Sequence, residues 1–504
     1  MTRPDNPPAE IFRDDGPEVW HRLSPWMIAV RPIEQLPQLI PLVIAIVFAG
    51  RGAPDISIIL TLIAVPLITI VPWLVTRYQV TDEHVRVRSG LITRKVATAR
   101  RDRIRSVDLT ASVPHRVLGL KKVRIGTGGD KESSVVELNA IPAAEADTLY
   151  RHLMATVART TRPSVLTEDA PSHRSAPPEQ LSRLQLSWLR FAPFSLTGFA
   201  AAAAAGGLAA QFANESGLFE QGATAAEHAI DRVRDIPVSL VVTASVIVVI
   251  AVGALLSFGG YVLAYWNFSL VRNHRDGTLL IRRGLLTTNA SSLDENRVRG
   301  VHLHEPVLMR AVRGARLNAI ATGSSKNPLL LPPAPFDEAV RVGQLVAHDG
   351  DELTSPLNRH GRGALGRRLT RGFWGGLLFA VVVVIAVIGP LTWPWLFLAA
   401  VVAMASSALG VVRYRNLGVR VTATAVVIAP PRVARHRYVV SREGVVGWAS
   451  SASFFQRRRG VETTVVATAA GAEAYAAVDL DPAAAAELMT AVSPDLLAPF
   501  VVSR

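Results

Sequence analysis

Arginine dominates the residues that could do chemistry here, both in number and in spacing. Arg94, Lys95, Arg100, Arg101, Arg103 and Arg105 crowd one short segment, and Arg282, Arg283, Arg297 and Arg299 crowd another. Arg432, Arg435, Arg437 and Arg442 form a third group. A guanidinium offers paired donors that match phosphate or carboxylate oxygens. Arg94, Lys95, Arg101, Arg103, Arg105, Arg283, Arg297 and Arg299 are therefore the candidates for holding a lipid headgroup or an acidic partner. The plainer account is that they are solvated charges facing an acidic membrane. Other chemistry is poorly served. The stretch Gly126-Thr127-Gly128-Gly129-Asp130-Lys131 lacks the spacing of a phosphate loop and lies between strand-like runs rather than before a helix. His302 and His304, two apart, would share one face of a strand, but no third metal ligand accompanies them. No serine–histidine, paired-carboxylate or zinc-protease signature is present, and there is no cysteine. The expectation is a protein without catalytic, metal or cofactor sites.

These arginines recur because the segments that carry them recur. The first copy has Gly90-Leu91-Ile92, Asp102-Arg103-Ile104-Arg105-Ser106-Val107, His115-Arg116-Val117-Leu118-Gly119 and Gly126-Thr127-Gly128. The second has Gly284-Leu285-Leu286, Asn296-Arg297-Val298-Arg299-Gly300-Val301, Met309-Arg310-Ala311-Val312-Arg313-Gly314 and Ala321-Thr322-Gly323. The third keeps Ser441-Arg442-Glu443-Gly444-Val445, Arg457-Arg458-Arg459-Gly460 and Ala467-Thr468-Ala469. Gly119, Gly314 and Gly460 each precede a threonine by the same interval, and Arg103 and Arg297 are expected on matching strands, with Arg442 as the third member. Repetition on this scale defines the architecture before any single element does.

Each copy opens with a pair of apolar stretches, roughly 33–49 with 57–75, 188–212 with 236–266, and 373–389 with 393–412. A spanning helix needs about 20 residues for a hydrocarbon core of ~30 Å, so six transmembrane helices in three hairpins are expected. The chain carries 54 Lys and Arg against 40 Asp and Glu, a net charge of +14. The loops inside the hairpins hold only Arg51, Arg232 and Arg234 of those cations. The positive-inside rule then puts both termini and all polar domains in the cytoplasm, with the chain multi-pass in the cytoplasmic membrane. Acidic residues at the N-terminus are the wrong charge for a cleaved signal peptide. Tryptophan beside arginine opens each hairpin (Arg22 to Trp26, Arg183 to Trp188, Arg371 to Trp374), as suits the headgroup layer.

After each hairpin the periodicity falls to two, as in Tyr78-Gln79-Val80-Thr81 and Val85-Arg86-Val87-Arg88, which predicts half-buried antiparallel strands. Each domain closes with an Ala-rich helix starting at Pro142, Pro335 or Pro482, proline being favoured in a first helical turn. The order Tyr-x-Val-Thr, Gly-Leu-Ile, Arg-Ile-x-Ser-Val, Arg-x-Leu-Gly in the first copy resembles the bacterial pleckstrin-homology domain of the membrane-bound, YdbS/YdbT-like type. That resemblance is strong over 76–153, good over 266–348 and weak over 413–492, where Ala429-Pro430-Pro431 replaces the glycine after the second strand. It implies two orthogonal antiparallel sheets capped by the helix, and no catalytic activity.

The expected fold class is thus an α+β membrane protein: three hairpins, each followed by a cytoplasmic PH-like β-sandwich or barrel with a C-terminal helix. The segments are a tail 1–25, hairpin 26–76, domain 77–157, flexible linker 158–187, hairpin 188–266, domain 267–348, basic linker 349–372, hairpin 373–412 and domain 413–493. The function expected is non-enzymatic, with membrane lipids, anionic headgroups among them, and protein partners or self-association, as an envelope scaffold or stress-related factor. The alternative is transport or lipid handling through a six-helix bundle. The apolar stretches carry almost no ionisable residues, Glu34 and Arg190 near span ends excepted, which disfavours it. Nucleic acid is not an expected partner, because the basic segments lack a recognition helix or interleaved aromatics.

Overall fold

Strands form wherever the sequence alternates apolar with polar residues, and they form sheets that outrun the repeats. The structure, a computed structural model, describes residues 20–28, 30–31, 34, 70–71, 73–81, 83–90, 95–101, 104, 106–127, 135–160, 177–194, 207, 237–275, 277–323, 327–347, 351–387 and 393–498. Its chain falls into two compact units, Met1–Asp294 and Glu295–Arg504.

In the first unit, β1 (His21–Arg22), β2 (Arg77–Val80), β3 (His84–Ser89) and β4 (Lys95–Arg100) make one antiparallel sheet in that order. The second sheet of the first copy is β5 (Ser106–Ala111), β6 (Leu120–Gly126) and β7 (Val135–Pro142), followed by the helix Ala143–Thr160. Alternate residues of both sheets, Val85, Val87, Val107, Leu109, Val123, Ile125, Val136 and Leu138, meet Ala146, Leu149 and Leu153 of that helix in one core. The first half of the second copy supplies β8 (Glu179–Arg183), β9 (Ser269–Asn273), β10 (Thr278–Arg283) and β11 (Thr288–Asp294).

In the second unit, the rest of the second copy is β12 (Val298–Glu305), β13 (Gly314–Ala321), β14 (Leu329–Pro335) and the helix Phe336–Ala347. The third copy has β15 (Gly418–Val421), β16 (Ala425–Ala429) and β17 (Arg435–Ser441), then β18 (Val445–Ser451), β19 (Glu462–Thr468) and β20 (Ala474–Leu480), then the helix Pro482–Val492. Val426, Ile428, Val440, Val466, Tyr475 and Ala477 close on Ala485, Leu488 and Val492 of this helix. Asp481 caps it, its carboxylate accepting from the Ala483 N–H, with proline in the first turn as expected. In the other two copies the proline instead ends the preceding strand.

One copy's second sheet continues into the next copy's first. β5 pairs antiparallel with β11, giving a seven-stranded sheet, and β12 pairs with β17, giving a six-stranded one. That continuity explains why the division between units falls inside the second copy rather than between copies.

The strands β1 and β8 were expected as membrane-anchoring phrase and flexible linker. They are instead edge strands of the sheet that follows the hairpin, with His21 opposite Tyr78 and Arg183 opposite Ser269. In both copies the residues before the apolar pair thus lie beside those after it. The bridge between Asn358 and Val419 is the same device reduced to one residue pair in the third copy. Trp188, expected in the headgroup layer, is buried against Phe268, with ring centroids 6.5 Å apart. The left-handed turn before β6, β13 and β19 falls on Gly119, Arg313 and Gly460 (φ 66°, 56° and 63°), so in the second copy it precedes Gly314 by one residue.

Three helices among the described residues are long and apolar enough to cross a membrane: Val246–Tyr265, Arg362–Ile385 and Trp393–Arg415. The first expected hairpin and most of 195–236 lie outside the described residues. The last two helices pack closely because small residues face each other. A Cβ built on Gly376 would sit 2.5 Å from the Ser406 Cβ and 3.2 Å from the Ala403 Cα, and one on Gly372 would sit 2.6 Å from the Ser406 carbonyl oxygen. Small residues at such positions let helices approach where lipid offers no hydrophobic drive. Gly376→Leu is expected to cost roughly 1–3 kcal/mol by overpacking. Gly375→Ala, whose Cβ would meet nothing within 4 Å, is expected to leave thermal stability in detergent unchanged or slightly raised. Equal effects of the two substitutions would show that the contact does not hold the hairpin together.

Candidate functional site

Cations gather where span-length helices end. In the first unit a cleft of about 1230 Å³ opens beside Trp266, Asn267 and Phe268, the residues that follow the helix Val238–Tyr265. Its floor is the joined sheet, with Leu109, Thr110 and Ala111 of β5 against Thr288, Asn289 and Ala290 of β11. Its cations are Lys121, Arg151, Arg183, Arg282 and Arg283. Lys121 is matched by Asp147 at 2.6 Å, and the Arg283 guanidinium lies 5.7 Å from the centroid of the Tyr265 ring. Arg183 and Arg282 are exposed and form no ion pair among the described residues.

The turn after β10 fixes this end of the helix: Gly284 N–H donates to the Trp266 carbonyl (2.8 Å) and Leu285 N–H to that of Leu263 (3.0 Å). Gly284 has φ 108°, and a Cβ there would lie 1.9 Å from the Thr287 carbonyl oxygen, so only glycine fits. Arg116 closes the turn from the neighbouring copy by donating to the Leu285 carbonyl at 2.7 Å.

In the second unit a hollow of about 360 Å³ is lined by Arg368, Arg371, Arg413, Pro431, Arg432 and Val433. Arg368 pairs with the buried Asp479. Arg371, Arg413 and Arg432 form no ion pair among the described residues. Arg371 sits near the start of the apolar part of one helix and Arg413 near the end of the next. Three cations around so small a volume repel one another, so an anion between them lowers their energy.

The residues picked from sequence are dispersed. Arg283 lines the first cleft. Arg101 is buried and donates to the Thr81 carbonyl at 3.4 Å. Lys95 lies on β4, and Arg94, Arg103 and Arg105 lie outside the described residues. Arg297 sits in the short turn before β12, its carbonyl accepting from Thr322 N–H at 3.0 Å. Arg299, on β12, faces Glu443 at 3.7 Å. Arg297 is thus in a turn rather than on a strand. Its counterpart before β18 is Gly444, because Arg442 begins the matching turn and donates to the Val492 and Ala423 carbonyls. The sequence places Arg282 and Arg432 in its crowded groups, whereas Arg183, Arg371 and Arg413 stand outside them and are marked only by adjacency to an apolar stretch.

The histidine pair gains a third member. His302 and His304 on β12 stack on His436 of β17, with His302 Nε2 and His436 Nδ1 3.0 Å apart. Burial holds all three well below the usual imidazole range, His302 and His436 at about 3 and His304 at about 4, with Arg432 nearby lowering each further. No group of three residues able to hold a metal ion is found among the described residues.

The family model for the bacterial PH domain matches the chain three times, over residues 33–157, 227–349 and 377–495, which together make up most of its length. The chain belongs to the bacterial PH domain family. Each match takes in an apolar stretch as well as the sheets and closing helix after it, so the repeated unit includes that stretch. The first cleft therefore lies where one PH domain joins the next, and the second hollow at the membrane end of the third. No curated protein and no solved structure matches the chain.

Proposed function

We propose that this is a non-enzymatic integral membrane protein whose PH domains hold anionic, phosphate-bearing lipid headgroups at the cytoplasmic face, as an envelope scaffold. One observation carries the reading: in both units, arginines without an ion pair meet at the end of a helix long enough to span a membrane. A headgroup phosphate would stand at that depth. Arg183 and Arg282 would grip it in the first cleft, and Arg371, Arg413 and Arg432 in the second hollow, through bidentate guanidinium contacts. The excess of cations outside the hairpin loops supports the cytoplasmic orientation.

The test is lipid retention by the full-length protein in nanodiscs of phosphatidylcholine with phosphatidylglycerol, read by native mass spectrometry. Each cation near an anionic surface contributes about 1 kcal/mol. Replacing Arg371, Arg413 and Arg432 together by alanine is therefore expected to weaken phosphatidylglycerol retention on the order of 100-fold. Arg183→Ala with Arg282→Ala should cost on the order of 10-fold or more. Replacing Arg124 and Arg458, which line neither the cleft nor the hollow, should leave retention nearly unchanged. Retention that falls equally for any set of arginines, or that does not distinguish the two lipids, would overturn the reading.

A further inference from the structure

The chain joins its PH domains by one repeated edge-to-edge contact, and among the described residues each half of that contact recurs once more without the other. At the first joint Asp108 stands opposite Ser291, Leu109 opposite Ala290, Thr110 opposite Asn289 and Ala111 opposite Thr288. At the second, His302 stands opposite Tyr438, Leu303 opposite Arg437, His304 opposite His436 and Glu305 opposite Arg435. Counting from the ends of the strands, the two joints have the same register: the residue three places before the end of the incoming strand faces the second residue after the repeat's Ser106 or Gly300 position. The side chains at the joints differ, being Asp, Ser and Asn in one and His and Tyr in the other. Backbone pairing is what they share.

Among the described residues, two strands lack this partner. β4 corresponds to β11 and β17, yet it is the last strand of its sheet. β18 corresponds to β5 and β12, yet it too ends its sheet. Open edges are usually guarded by charge, proline or a bulge turned outward. β18 (Val-Val-Gly-Trp-Ala-Ser-Ser) carries neither a charge nor a proline. Val446 on it and Phe454 and Phe455 just beyond it are exposed, as is Val96 on β4. The short helix that holds Phe454 and Phe455 follows β18 as Val113–Val117 follows β5, and at the first joint that earlier helix lends Arg116 to the incoming copy.

We propose that this protein self-associates head to tail, β18 of one molecule pairing antiparallel with β4 of the next and repeating between chains the joint that is made twice within each. The register follows from the two joints already made: Val96 opposite Ser450, Ala97 opposite Ala449 and Thr98 opposite Trp448. The contact is heterologous, since the two edges differ, so it leaves one β4 and one β18 free at each step and builds rings or filaments rather than closed two-fold dimers. Strand addition of this kind takes its strength from main-chain hydrogen bonds. The partner is therefore a second copy of the same chain.

The chain has no cysteine, which allows a clean cross-linking test on the full-length protein in native membranes. One tagged chain carries Val96→Cys and a second, with a different tag, carries Ser450→Cys. Mild oxidation of membranes holding both is expected to give a disulfide-linked pair of twice the chain mass containing both tags, and either chain alone should give none. The double variant should give a ladder of oligomers. Pairing Thr98→Cys with Ser450→Cys, two residues out of register, should lower the yield several-fold. Both substituted positions on the cross-linking pair are exposed, so folding is not at stake. The proposal is overturned by any of three results: no mixed dimer, dimers formed by either single variant alone, or oxidation of the double variant within one chain without change of mass.

Discussion

Asp479→Ala is expected to be the most damaging single substitution in the second unit. Asp479 is wholly buried and has a left-handed backbone, φ 62°. Its carboxylate accepts from Arg367 and Arg368, both near the foot of the helix Arg362–Val387, and from Gln456 Nε2 at 3.0 Å. Its carbonyl and that of Val478 accept from His360 Nδ1, and Tyr414 of the next helix donates to the His360 carbonyl. One side chain thus ties the last strand of the third PH domain to the hairpin in front of it. Removing it leaves two little-exposed guanidinium groups without a counter-charge, a loss of about 3–5 kcal/mol. The melting temperature of the full-length protein in detergent should fall by roughly 10 °C. Asp479→Asn keeps the volume but not the charge and should fall nearly as far. Arg458→Ala, an exposed charge in the following turn, should change little. A loss below about 1 kcal/mol for Asp479→Ala would mean that the arginines find other partners at no cost.

Acidification should act at the joint between the second and third PH domains. His302, His304 and His436 titrate near 6.5 when unfolded and near 3 to 4 in the fold. Burial is the main cause, and Arg432 and Arg316, which face the cluster, add to it. Glu305 and Arg435 stand opposite each other at the next position and face each other at 3.5 Å, and Tyr438 stacks on His302. Because the folded state binds these protons more weakly than the unfolded state, no stability is lost above about pH 6.5. Stability then falls as the pH drops from there toward 4. At pH 5, allowing for the coupling between rings and the partial exposure of His304, the loss is roughly 2–4 kcal/mol. Thermal melts at pH 7 and pH 5 should show this in the native protein. Most of the difference should vanish when His302 and His436 are replaced together by Phe and Tyr. A pH dependence unchanged by that replacement would place the sensitivity elsewhere.

How far the sequence carried the reading depended on whether the deciding interactions were local. Strands β2 and β3 follow from alternation in Tyr78-Gln79-Val80-Thr81 and Val85-Arg86-Val87-Arg88, because one wet and one dry face leave that mark on neighbouring residues. The closing helices were legible from prolines and Ala-rich runs that are likewise local. The strands β1 and β8 were not, since each pairs with a strand on the far side of a long apolar segment. The β5–β11 and β12–β17 joints left no local trace either, because they are made by main-chain groups that every residue possesses. The histidine cluster was half visible: His302 and His304 are two apart in sequence, but His436 reaches them across 134 residues. For the arginines, crowding in sequence and meeting in space are different things: Arg101 donates to a carbonyl and Arg442 to a helix terminus, whereas Arg371 and Arg413, far apart in sequence, meet in one hollow.

The joined sheets also set a timetable for biosynthesis. Thr110 of β5 and its partner Asn289 of β11 are 179 residues apart. At ~5–20 residues per second the ribosome delivers the second strand on the order of 10–40 s after the first. Throughout that interval the first PH domain has emerged with the β5 side of its sheet uncovered. The β12 edge then waits in the same way for β17. Polysomes bring many nascent chains together, each exposing an edge that the next strand of any neighbour would match. Prompt delivery of β11 and β17 therefore keeps each strand paired within its own chain, and a translational stall before either would favour exchange of strands between nascent chains.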